Sequence, residues 1–166
     1  MERRKPPPMK FEVTTYDGKE VEVKTMTREE VEAINPKDYD YYMAKCFGIL
    51  AFRTGSGEWI EHRNGNWPRL GGKTLDLLRA IQINPGLFQT CSDLAELTGN
   101  EAYFDANPVS ARILALRRTH RESKDKPHFF ATSDSGQLRV CWPKERTWIW
   151  IDSFRSRSDE APEDQE

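Results

Sequence analysis

Six cationic side chains, Arg112, Arg117, Arg118, Arg121, Lys124 and Lys126, fall between Asn107 and His128, against only Glu122 and Asp125. A local excess of four positive charges suits the neutralisation of a phosphate backbone. Arginine can also bridge O6 and N7 of guanine, Ser110 can reach a base edge or a phosphate, and Leu114 can touch a thymine methyl. At 100° per residue, Val109, Ile113, Leu116 and His120 lie within about 60° of one another, so a helix through this segment buries that stripe. Ser110, Ala111, Leu114, Arg118 and Arg121 then occupy the opposite side, with Arg117 on one flank and Arg112 on the other. A blander account has the arginines complement the helix dipole and keep the surface solvated.

Other chemistry is poorly supplied. Gly71-Gly72-Lys73-Thr74 precedes a helix as a phosphate-binding loop would, but the first glycine of that motif is replaced by Trp67. His62, His120 and His128 have no serine or cysteine arranged beside them, and His120 falls on the apolar stripe as a core histidine. Cys46, Cys91 and Cys141 are far apart and form no C-x-x-C pair, which argues against a disulfide framework or a structural zinc. Trp142, Trp148 and Trp150 alternate at strand period; they can stack on bases, but covering a sheet is the commoner fate. No acid/base pair, nucleophile or metal set emerges, so the expectation is a protein that is not an enzyme and needs no cofactor.

The 166 residues suffice for one ordinary domain, and 25 Lys+Arg against 27 Asp+Glu give a net charge of -2. That balance hides an asymmetry: residues 71–151 carry 11 basic and 9 acidic groups, residues 152–166 only 2 and 6. A hydrophobic share of 37% and a mean hydropathy of -0.79 predict solvated ends. Residues 1–9, with Pro6-Pro7-Pro8, read as a disordered arm, and 152–166 as a disordered acidic tail. No apolar run approaches the roughly 18 residues of a membrane span, and Met1-Glu2-Arg3-Arg4-Lys5 opens no signal peptide. The expected setting is the cytoplasm, away from membranes.

Elements follow from periodicity and punctuation. Phe11, Val13 and Thr15, the turn Asp17-Gly18, and Val21 and Val23 predict a hairpin. Thr27 with Glu30 caps a short helix that Asn35-Pro36 ends. Residues 10–46 thus make an N-terminal hairpin and helix extension; the aromatics of Tyr39–Met43 serve a core or an interface. Phe47–Phe52 and Glu58–Arg63 predict a second hairpin, and Asn64-Gly65 a further turn. A helix with Leu75, Leu77, Leu78 and Ile81 stops at Asn84-Pro85-Gly86. Thr90 and Asp93 cap a second, with Leu94 and Leu97, that Gly99-Asn100 ends. A third opens near Pro108. His128–Ser133 and Gln137–Trp142 predict a last hairpin, with an extra strand at Thr147–Ile151.

Three helices and then a hairpin is the order of a winged helix-turn-helix. The residues Asn64-Gly65, Arg69-Leu70, Leu75, Leu77-Leu78, Asn84-Pro85-Gly86, Thr90, Asp93-Leu94, Val109, Ile113 and Leu116-Arg117 make residues 47–142 resemble the effector domain of OmpR/PhoB-type bacterial response regulators. The resemblance implies an α+β fold over 47–151: a short N-terminal antiparallel sheet, three helices and a C-terminal β-hairpin wing. It departs from the family in lacking a receiver domain and in carrying Asp134 where the wing has an arginine. It implies double-stranded DNA binding by the third helix through Ser110, Arg112, Leu114, Arg117, Arg118 and Arg121, as a transcriptional regulator or accessory factor. The alternative is a winged-helix module that binds a protein partner, or a second copy of itself, without DNA.

Overall fold

The computed structural model describes residues 10–44, 49–62, 70–133 and 136–154. The expected arm at 1–9, Cys46, the Asn64-Gly65 turn, Asp134 and residues 155–166 lie outside them.

The N-terminal half forms as its alternation demands. β1 (Lys10–Tyr16) and β2 (Val21–Thr27) make an antiparallel hairpin with Tyr16 opposite Val21. At its turn Gly18 holds a φ of +98°, open to glycine and strained for other residues. Thr27 and Glu30 exchange reciprocal capping bonds of 2.9 and 3.2 Å and start α1 (Arg28–Glu32). β3 (Tyr41–Ala44), β4 (Ile49–Arg53) and β5 (Trp59–His62) then pair antiparallel in succession.

The helical part follows. α2 (Gly72–Gln82) buries Leu75, Leu77, Leu78 and Ile81. A two-residue strand, β6 (Gln89–Thr90), precedes α3 (Cys91–Thr98), whose capping box joins Thr90 and Asp93 and whose end is Gly99 at φ +69°. Of its two leucines Leu94 is buried and Leu97 is 51% exposed. α4 (Ala106–Thr119) starts two residues ahead of Pro108. β7 (Ala131–Ser133) and β8 (Arg139–Cys141) form the last hairpin, and β6 adds to β8 to give a three-stranded antiparallel sheet in the order β6-β8-β7.

β9 (Trp148–Phe154) reorganises the expected architecture. It enters between β1 and β3, antiparallel to the first and parallel to the second, completing a six-stranded mixed sheet in the order β2-β1-β9-β3-β4-β5. The parallel pair is clasped at its start: the Asp40 N–H donates to Thr147 Oγ1, and the Thr147 N–H donates to Asp40 Oδ2, both at 3.0 Å. The fold is thus α+β, but the sheet is not short. Residues 10–44 are not an appendage either, since β9 holds their strands in the sheet that β4 and β5 continue. The tail expected from residue 152 begins inside β9, where Asp152 pairs with Arg79 at 3.0 Å.

Strand alternation gives the large sheet two buried faces. Tyr16, Tyr41, Met43, Phe52, Trp148 and Trp150 join the helices and the small sheet in one core; Phe11, Val13, Ala44, Ile149 and Ile151 form a second core beside Val31 and Ile34. Trp148 and Trp150 stack at 4.2 Å, and the Trp150 Nε1–H donates to Gln82 on α2. These tryptophans therefore close the sheet against α2 and are not available to stack on bases.

Candidate nucleic-acid interface

α4 takes its orientation from one stripe. Val109, Ile113 and Leu116 are at most 2% exposed, and His120 just beyond the helix is fully buried. His120 Nδ1 lies 2.6 Å from the Leu116 carbonyl and Nε2 2.9 Å from the Tyr41 hydroxyl, with the ring stacked on Tyr41 at 5.2 Å. That anchorage turns Ser110, Ala111, Leu114, Ala115, Arg118 and Arg121 outward, all exposed. Leu114 is 52% exposed.

Two of the six expected contact residues are engaged inside the protein. Arg117 is buried: one terminal nitrogen donates to the Phe130 carbonyl at 2.6 Å and to Thr132 Oγ1 at 3.0 Å. Its Nε stands 3.8 Å from Glu122 Oε2. The placement of Arg117 on a DNA-facing flank is therefore corrected: it ties the C-terminal end of α4 to β7. Arg112 is half-buried, donates to Thr74 Oγ1 at 2.6 Å, and holds its guanidinium 5.9 Å from the Tyr103 ring centre. Its flank position brings it onto α2 rather than into solvent. The same bond occupies the threonine of the Gly-Gly-Lys-Thr segment, and the Lys73 carbonyl accepts from the Tyr103 hydroxyl at 2.9 Å.

Glu122 organises the turn beyond α4. Its side chain is wholly buried and accepts the backbone N–H groups of His128, Phe129 and Phe130 at 3.3, 2.9 and 3.0 Å. Burial raises its carboxyl above the usual range, while the three N–H groups and Arg117 pull the other way. His128 Nε2 sits 3.6 Å from Glu122 Oε1. Burial and the charge of Arg146 lower the imidazole from its ordinary value. Arg121 meanwhile adopts φ +56°, the left-handed step that ends α4, and the Glu122 N–H returns to the Arg117 carbonyl at 3.0 Å.

The exposed cations of this region are consequently Arg118, Arg121, Lys124 and Lys126, clustered at and beyond the end of α4. Its opening carries exposed Glu101, Phe104, Asp105 and Asn107 instead. Arg139 on β8, half-buried, adds a basic group to the hairpin; the sequence signal for it was its place between Leu138 and Val140, both on the core side. β6 escaped sequence reading altogether, because two residues are too short to show alternation.

Among the described residues, no group of three or more His, Cys, Asp or Glu is placed to hold a metal ion. Burial raises the thiols of Cys91 and Cys141, away from the thiolate of a nucleophile. No helix among the described residues is long and apolar enough to cross a membrane. Comparison with family models, with curated proteins and with solved structures finds no match.

Proposed function

We propose that residues 47–151 act as a winged helix-turn-helix, resembling the OmpR/PhoB-type effector domain over 47–142, that binds double-stranded DNA through α4 in the cytoplasm as a transcriptional regulator or accessory factor. The observation that carries this reading is the outward face of α4, where Ser110, Leu114, Arg118 and Arg121 stand together with no core duty. The succession α2, β6, α3, α4, β7, β8 and the sheet order β6-β8-β7 support it, since a recognition helix followed by a hairpin is the arrangement such domains use. In this reading Arg118, Arg121, Lys124 and Lys126 meet phosphates, and Ser110 and Leu114 meet base edges. Arg112 and Arg117 hold the helix in place without touching DNA.

The test is binding of a labelled mixed-sequence duplex at two salt concentrations, for the wild-type chain and for Arg118→Ala combined with Arg121→Gly. Glycine at 121 removes the guanidinium while keeping the left-handed backbone. Each lost phosphate contact lowers the slope of log affinity against log salt by about 0.9, so the double variant binds weakly with a slope shallower by up to about 2. Absence of duplex binding by the wild type at low salt sinks the DNA reading. A protein-binding module is the second reading, favoured by one observation: Phe104 and Leu114, at the opening and on the free face of α4, are each 52% exposed.

A further inference from the structure

β2 is the outermost strand of the six-stranded sheet, and no described strand pairs with its free side. It runs seven residues in unbroken register with β1 and contains no proline. Such an edge presents a row of unpaired backbone groups, which is a template for another strand. The hairpin decides which groups those are. The Asp17 N–H donates to the Glu20 carbonyl at 3.4 Å, the hydrogen-bonded pair beside the turn. Bonded and non-bonded pairs alternate along an antiparallel ladder. Glu22, Lys24 and Met26, opposite Thr15, Val13 and Phe11, therefore turn their N–H and C=O groups inward to β1. Val21, Val23 and Thr25 turn theirs outward.

We propose that β2 pairs antiparallel with β2 of a second copy of this chain, across a twofold axis at Val23. Val23 then faces its counterpart as a hydrogen-bonded pair, and Val21 faces Thr25 on either side. The same register sets Glu22 opposite Lys24 of the other copy, twice, at non-bonded positions where side chains approach most closely. Within one chain Glu22 and Lys24 already lie 3.7 Å apart, with their side chains 52% and 59% exposed. Two copies thus assemble four charges of alternating sign, and Val23, 61% exposed, gains an apolar neighbour.

Charges on an edge strand usually discourage pairing. Here their order is complementary to an inverted copy of itself. Moving the axis by one residue, to Lys24, keeps the outward hydrogen bonds but brings two lysines face to face. That contrast selects both the partner and the register. The two joined sheets form one continuous sheet of twelve strands from the two sets of six.

Sedimentation velocity of the full chain, at concentrations up to about 100 µM, separates monomer from dimer. A dimer is expected for the wild type. Glu22→Lys and Lys24→Glu each place like charges across the axis, so each variant sediments as a monomer. Mixed in equal amounts they dimerise again, because every cross-axis pair is then of opposite sign. Val23→Pro removes an outward N–H that the β1–β2 ladder does not use and also yields a monomer. Thermal melting shows that the charge variants remain folded, so the result does not depend on the proline. A monomeric wild type overturns the proposal. So does a dimer that survives these substitutions, or a mixture of the two charge variants that stays monomeric.

Discussion

His120 Nε2 lies 2.9 Å from the Tyr41 hydroxyl, joining the end of α4 to the large sheet across 79 residues of chain. The other ring nitrogen faces the Leu116 carbonyl, which can only accept, so Nδ1 carries the hydrogen, and in the neutral ring Nε2 accepts from Tyr41. Tyr41→Phe keeps the ring packing and leaves Nε2 buried without its donor. The expected loss is about 1–3 kcal/mol, read from the urea midpoint. A wild-type midpoint would mean that this bond contributes nothing to the docking of α4.

Arg117 and Arg118 are neighbours with opposite fates. Arg117→Met strips Glu122 of its counter-charge and the Phe130 carbonyl of a donor, both buried. Breaking such a pair costs about 3–5 kcal/mol. Arg118→Ala, on the exposed face, changes stability by less than about 0.5 kcal/mol. Denaturant titration of the two single variants distinguishes them, and equal losses would contradict the assigned face of α4.

The lowered pKa of His128 makes a pH prediction. Between its folded value and the ordinary 6.5, the unfolded chain binds a proton that the folded chain does not. This group's contribution is therefore fully present above pH 6.5 and is lost as pH falls through its folded pKa. Relative to wild type, His128→Asn should lose less stability on acidification from neutral pH. Melting temperatures across that interval provide the comparison, and parallel curves would place the pH sensitivity elsewhere.

Arg121 carries a backbone cost of its own. Its φ of +56° is left-handed, and a side chain there costs roughly 1–2 kcal/mol relative to a right-handed step. Arg121→Gly should melt at or slightly above the wild-type temperature, whereas the β-branched Arg121→Val should melt lower. A lower melting temperature for the glycine variant would show that the arginine side chain stabilises the end of α4.

The chain's local chemistry was readable without a structure. Thr27 with Glu30 and Thr90 with Asp93 mark helix starts because a side-chain oxygen, a backbone N–H and three residues of spacing suffice for a capping box. Val109, Ile113, Leu116 and His120 announce their common burial through the period of 3.6. Tertiary structure alone decided where β9 goes: Thr147–Ile151 reads as a strand, but its insertion between β1 and β3 depends on partners more than a hundred residues away, such as Asp40 for Thr147. It also decided the fate of the arginines. Helical angle leaves Arg117 on a flank, and only the return of Glu122, Phe130 and Thr132 beside it turns a cation suited to phosphate into a buried tie. Periodicity records which side of a helix is apolar; it does not record which polar groups the rest of the chain brings to the border of that side.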